Sequence, residues 1–287
     1  MVKKTYSSFI EPITHILNIS ITEGVFPNEL KIAKVIPLFK SGDTMIFSNY
    51  RPVSVLPVFS KILERLMYNR LLGFINKHKI LYMYQFGFRA DHSPNLALLL
   101  LVDKLSNALE KGEYVLGLFL DFSKAFDTVN HTILFTKLEH YGIRGVAMNM
   151  FKSYLSNRHQ YVVYNDTKSE NRVITCGVPQ GSILGPLLFL LYINDLADVS
   201  SVLFSLLFAD DSNMFLTGND PNELIRIMNT EIVKVVDWLR VNKLSLNLKK
   251  THFILFRQQQ RSKITISEEL IIDQVNIEMK DSTKFSV

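Results

Sequence analysis

A single cysteine, Cys176, occurs among the 287 residues. It excludes an internal disulfide, and the absence of any Cys/His cluster removes the usual zinc-site pattern. Such sparing use fits a reducing compartment. No apolar stretch follows Lys3 and Lys4, so the opening segment does not read as a secretory signal. Long hydrophobic runs are missing too. The most lipid-like stretch, Ile183 to Ile193, is too short to span a bilayer and contains Gly185 and Pro186. No repeat, low-complexity tract or long linker interrupts the chain. These absences predict a soluble intracellular protein with no membrane partner. A hydrophobic fraction of 47% supports a packed core and argues against disorder. The length suits one large domain or two interlocked ones. The net charge of +5 permits a nucleic-acid partner without demanding one.

Helical periodicity marks Val58 to His78, where Phe59, Ile62, Leu63, Leu66, Leu71 and Ile75 share a face. Ser93 as N-cap and Pro94 in the first turn open a leucine-rich helix running to Lys111. A third long helix covers Asn222 to Val241, with Asn219 or Asp220 as its cap before Pro221. A short apolar helix follows Gly185. Strands are predicted at Tyr114 to Leu120, Val202 to Phe208, Asn213 to Leu216 and Thr251 to Phe256, with a further hairpin joining Tyr161–Tyr164 to Val173–Thr175. Helices and strands mix without strict alternation, which predicts an α+β fold with an antiparallel sheet.

Acid placement carries the first chemical signal. Asp121 ends an apolar strand, and Asp210 and Asp211 fall at the turn between two apolar strands. Any one of them also reads as an ordinary turn residue, because aspartate forms turns. Two adjacent acids between apolar strands are less ordinary, because neighbouring carboxylates repel unless a cation neutralises them. A third carboxylate nearby would make an oxygen-rich site suited to Mg²⁺ and substrate phosphates. Two such ions about 4 Å apart can clamp an in-line phosphoryl transfer. Spacing alone leaves open whether Asp121 meets the pair.

The residues around the acids bear a resemblance. Phe119-Leu-Asp-Phe-Ser-Lys-Ala-Phe-Asp-Thr-Val-Asn-His131 resembles motif A of non-LTR (LINE-type) retrotransposon reverse transcriptases, nearest the jockey-like branch. Gly177-Val-Pro-Gln-Gly-Ser-Ile-Leu-Gly-Pro-Leu-Leu-Phe189, running on to Tyr192-Ile-Asn-Asp195, resembles motif B. Phe208-Ala-Asp-Asp211 resembles motif C, and Lys243-Leu-Ser-Leu-Asn247 with Lys250-Thr251 resembles motif D. Ala33 to Asp43 and Asn49 to Ser54 resemble finger motifs, and Gln85-Phe-Gly-Phe-Arg89 with His92-Ser93 matches the next block. The four residues of motif C alone would recur by chance. The ordered series from about Phe26 to Phe256 is what makes the resemblance specific.

The resemblance implies the fingers and palm of a right-hand polymerase, with the thumb missing. On that reading residues 1–89 form the first part of the fingers and 90–130 the first part of the palm. Residues 131–175 form a fingers/palm insertion, and 176–287 the second part of the palm. It implies an RNA-directed DNA polymerase that extends a DNA primer on an RNA template with dNTPs. The metal set would be Asp121, Asp210, Asp211 and the backbone carbonyl of Phe122, holding two Mg²⁺ ions, with Mn²⁺ as an allowed substitute. Lys40, Arg51, Phe122, Gln180 and Gly181 would contact the incoming nucleotide, and Phe126 would block a ribose 2′-hydroxyl. Lys250 would protonate pyrophosphate. Taken alone, Lys40, Arg51 and Lys250 read equally as surface charges, and Phe126 as a core ring. The stretch from Trp238 to Lys263 holds seven basic residues and no acidic one. Its Arg240, Lys243, Lys249 and Arg257 are candidates for the duplex backbone, or a solubilising edge. Asp127 and Asp195 suit capping or structural bonding, the histidines share no ligand spacing, and Cys176 is expected to be an inert buried thiol. Relatives normally carry a preceding endonuclease and a following thumb. A truncated, non-catalytic nucleic-acid-binding remnant is therefore the competing expectation, and an RNA-copying RNA polymerase a third, opposed by Phe126.

Overall fold

The computed structural model describes residues 2–164, 167–258 and 266–283. In chain order these form α1 (Val2–Glu23), β1 (Ile32–Phe39), β2 (Tyr50–Val55), α2 (Val58–His78), α3 (Pro94–Glu110), β3 (Tyr114–Asp121), α4 (His131–His140) and α5 (Gly145–Leu155). Then follow β4 (Arg158–Tyr164), β5 (Thr167–Lys168), β6 (Arg172–Ile174), α6 (Gly185–Ile193), β7 (Phe204–Phe208), β8 (Asp211–Gly218), α7 (Pro221–Val241) and β9 (His252–Phe256). The short strands β10 (Ile271–Ile272), β11 (Val275–Asn276) and β12 (Glu278–Met279) close the series. The mixture is α+β. It falls into two compact units, one of residues 1–80 and 129–192, the other of 81–128 and 193–287.

In the first unit β2, β1, β4 and β5 are neighbours in one sheet, with β6 also on β4. The β1–β4 pairing is parallel, from Ile32 opposite His159 to Val35 opposite Val162. It is one parallel pairing in a sheet whose β1–β2, β4–β5 and β4–β6 pairings are antiparallel, and it needs the long connection that separates β1 from β4 in the chain. β6 does pair antiparallel with β4, but at Arg158–Gln160 rather than at the expected Tyr161–Tyr164, of which Val163 and Tyr164 pair with β5.

Buried polar atoms tie this unit together. Glu64, on the inner face of α2, is fully buried. Its Oε2 accepts the Ile183 N–H at 2.7 Å, and its Oε1 accepts the Tyr154 hydroxyl at 3.2 Å. Burial pushes the Glu64 carboxyl above its usual range, against the pull of those hydrogen bonds and of Arg158. The all-apolar α6 is buried from Leu187 to Ile193, as its lack of a polar face requires.

The second unit is built on the sheet β12-β9-β3-β8-β7, antiparallel except for β12 with β9. β3 is central and buried from Tyr114 to Leu120, which explains why it reads as a continuous apolar run. Gly117 leaves room for the Phe215 ring, which a β-carbon would meet at 2.9 Å. α3 packs one face on this sheet through Ala97, Leu101 and Ala108. Its N-terminus is closed by the Ser93 hydroxyl, which accepts the Leu96 N–H. α7 is capped by Asp220 rather than Asn219, its carboxylate accepting the Asn222 N–H. Among the described residues no helix is long and apolar enough to cross a membrane.

Candidate active site

Asp121 is the last residue of β3 and stands directly opposite Asp211, the first residue of β8. Phe208 pairs with Asp211 across the β7–β8 hairpin, so the connecting turn is the two residues Ala209 and Asp210. All three acids are half-buried. Cross-strand partners have β-carbons about 5 Å apart and lie on one face. Like charges in that register destabilise a sheet unless a cation lies between them. Lys250 is a cation beside Asp121, its Nζ lying 3.8 Å from Asp121 Oδ2. Among the described residues no group of three or more His, Cys, Asp or Glu side chains is gathered in metal-holding geometry. The backbone thus brings the acids to one place, while their side chains do not close on a common point. As a donor set they are hard carboxylate oxygens next to a polar turn, which suits Mg²⁺ better than a softer metal.

The loop between α7 and β9 fixes Asp121 from the other side. The Asn247 N–H donates to the Asp121 carbonyl at 2.8 Å, and the Asp121 N–H reaches the Thr251 hydroxyl at 3.4 Å. Phe122 forms a bridge with Leu246, and the Ser123 N–H donates to the Ser245 carbonyl. Asn247 and Thr251 belong to the motif D block, but nothing in the sequence signals that they hold the backbone of motif A. Phe126 lies in a one-turn helix, Ala125–Asp127, half-buried, with its ring edge-on to Phe88 at 6.0 Å between centroids. Both the core and the gating reading require a held ring, and Phe88 supplies a neighbour.

Lys40, Arg51, Gln180 and Gly181 fall in the first compact unit, whereas the acids, Phe122, Phe126 and Lys250 fall in the second. Lys40 and Arg51 are exposed at the β1–β2 hairpin. Gln180 is half-buried, and its carbonyl accepts the Ser54 N–H at 2.7 Å. Gly181 has φ +100°, and a β-carbon there would sit 2.8 Å from the Ser54 carbonyl oxygen. Its demand for glycine is therefore already met by the chain's own backbone, whatever ligand also approaches.

The basic stretch is less uniform than its sequence. Arg240 is bonded to Asp237 at 3.0 Å and also to Asp273, so acids from outside the stretch neutralise it. Lys243, Lys249 and Arg257 are exposed. Arg261 and Lys263 lie outside the described residues. Cys176 is exposed, which corrects the expectation of a buried thiol. It belongs to the loop between β6 and α6.

Comparison with known proteins points one way. Residues 40–284 match the family described as reverse transcriptase (RNA-dependent DNA polymerase). The chain is 33% identical over 267 residues to a probable RNA-directed DNA polymerase from transposon BS of Drosophila melanogaster, covering 87% of this chain and 29% of that protein. It is 31% identical over 270 residues to the probable RNA-directed DNA polymerase from transposon X-element of the same fly, covering 92% and 30%. It is 38% identical over 182 residues to the RNA-directed DNA polymerase from mobile element jockey of that species, covering 63% and 20%. The chain thus spans less than a third of the length of these relatives.

Proposed function

The chain belongs to the reverse transcriptase (RNA-dependent DNA polymerase) family, and from that premise we propose that it is the polymerase domain of a non-LTR retrotransposon, extending a DNA primer on an RNA template with dNTPs. The observation that carries the reading is the register of Asp121 opposite Asp211, with Asp210 on the adjoining turn. In this reading the first unit supplies finger elements and the sheet of the second is the palm.

Asp121, Asp210 and Asp211, with the Phe122 carbonyl, would hold the catalytic ions. Two Mg²⁺ ions, when bound, activate the primer 3′-oxygen and neutralise the departing pyrophosphate. The new bond joins that oxygen to the α-phosphorus, and the bond to pyrophosphate breaks. Lys250, whose ammonium lies beside Asp121, would serve the leaving group as a proton donor. Lys40 and Arg51 engage the triphosphate, Arg51 by forked hydrogen bonds and Lys40 as a mobile charge. Gln180 and Gly181 border the incoming nucleotide, and Phe126 excludes its 2′-hydroxyl. Lys243, Lys249 and Arg257 contact the duplex backbone. Arg240 joins them only by exchanging its carboxylate partners for phosphate.

Primer extension with an RNA template, Mg²⁺ and dNTPs tests the reading, with Asp210→Ala as control. Extension that vanishes in the variant supports it. Binding without extension would instead mark a non-catalytic remnant, and extension with rNTPs but not dNTPs an RNA polymerase.

A further inference from the structure

The block Gln85-Phe-Gly-Phe-Arg89 has no part in the chemistry above, yet it packs against the turn that carries Asp210 and against Phe126. It runs along β7 as an extra edge: the Phe86 N–H donates to the Leu207 carbonyl at 2.8 Å, and the Leu207 N–H to the Tyr84 carbonyl at 3.0 Å. Gln85 is 1% exposed. Its Oε1 accepts two backbone N–H groups, from Gly87 at 2.9 Å and from Ala209 at 3.0 Å. Two donors on one atom fix the orientation of the amide, since a flipped Nε2 would face them donor to donor. Nε2 itself is buried with no hydrogen-bond partner. A buried amide that leaves one end unsatisfied is costly, so it is the acceptor end that gives this residue its place.

What that acceptor holds is the turn carrying Asp210. Ala209 has φ +55°, the left-handed region that a β-carbon disfavours. Two-residue hairpin turns that need positive φ at their first residue normally place Gly, Asn or Asp there, not alanine. Gly87 closes from the same side: a β-carbon on it would lie 2.4 Å from the Ala209 nitrogen. One residue on, Phe88 meets the Phe126 ring. Arg89 pins the loop by donating to the Tyr82 and Gln85 carbonyls, each at 3.0 Å.

We propose that residues 84–88 form a positioning clip for the acidic turn, with Gln85 Oε1 holding the Ala209 N–H and thereby setting where Asp210 presents its carboxylate to a divalent cation. Gln85 is a positioning residue, acting through the backbone of Ala209. The cation part rests on the polymerase reading, whereas the tie between Gln85 and the turn does not. Outer groups that orient ligands typically cost 10- to 100-fold in metal affinity or activity when removed.

The test compares the full chain with its Gln85→Leu, Gln85→Glu and Gly87→Ala variants. Amide hydrogen exchange of Ala209 is read without metal, and the Mg²⁺ concentration for half-maximal primer extension is read with it. Gln85→Leu should speed Ala209 exchange at least tenfold, roughly the loss of one protecting bond, and raise the Mg²⁺ requirement about tenfold or more. Gln85→Glu keeps an acceptor oxygen and should retain the protection. Gly87→Ala, which displaces the turn while leaving Gln85 in place, should raise the Mg²⁺ requirement as well. Ala209 exchange unchanged in Gln85→Leu would overturn the clip, as would an unchanged Mg²⁺ requirement alongside a simple fall in melting temperature. A wild-type chain with no Mg²⁺-dependent extension would refute the polymerase reading and the cation part with it, and the exchange comparison would still decide the tie.

Discussion

Replacing Gly181 by alanine should unfold the first compact unit more easily by an amount that can be worked out. At φ +100° a residue with a β-carbon pays about 1–2 kcal/mol or slightly more. The new methyl would also lie 2.8 Å from the Ser54 carbonyl oxygen, a backbone atom that cannot rotate away. Relief requires β2 to retreat from the loop, which stretches the 2.7 Å bond from the Ser54 N–H to the Gln180 carbonyl, worth about 1 kcal/mol. The sum is about 2–3 kcal/mol, roughly 30- to 150-fold in the folding equilibrium and about 4–12 °C in melting temperature. Gly73 provides the internal control. It is exposed in α2, and a β-carbon there meets nothing within 4 Å. Gly73→Ala should therefore stabilise by about 0.5–1 kcal/mol. Thermal and urea unfolding of both variants would check the pair. A Gly181→Ala protein within about 0.5 kcal/mol of wild type would refute the packing explanation. If that protein also lost primer extension, the glycine would be required by the nucleotide instead.

Phe126→Ala should admit ribonucleotides, raising their use relative to dNTPs by about tenfold or more in competitive extension, while leaving Mg²⁺ dependence unchanged. Glu64 holds its proton more tightly folded than unfolded, so its ionisation opposes folding. Stability should then fall as pH rises from the ordinary glutamate value of 4.5 towards the raised one. Glu64→Gln should flatten that fall, which melts from pH 4 to 8 would reveal. Lys250→Met should change stability by less than about 1 kcal/mol, because the ion pair with Asp121 is long and its lysine largely exposed. A large drop in extension by a chain of unchanged melting temperature would assign Lys250 to chemistry.

The long helices were legible because their causes are local. α2 spans the residues its period marks, and Ser93 and Asp220 cap α3 and α7 through their own side chains. α1 escaped notice because Pro12 interrupts its pattern. The strands β10 to β12 are two residues each, too short to show a period. Pairing partners were less accessible, since register is a non-local property. The parallel β1–β4 contact depends on a long crossover, and the two acids that neutralise Arg240 include Asp273, far along the chain. The acidic site was partly visible. The motif spacing pointed to Asp121, Asp210 and Asp211, but their meeting is a matter of strand register. The bond from Asn247 to Asp121 joins two backbone atoms, which carry no residue-specific signal, and the Thr251 hydroxyl that accepts the Asp121 N–H lies 130 positions away in the chain.

The most direct measurement is affinity cleavage with Fe²⁺ in place of Mg²⁺, in which radicals formed at the bound ion cut nearby backbone. Scission near residue 121 and again near residues 209–211, both suppressed by excess Mg²⁺ and by Asp210→Ala, is the predicted result. Cutting confined to one of those segments, or equally strong in the variant, would contradict a shared cation site.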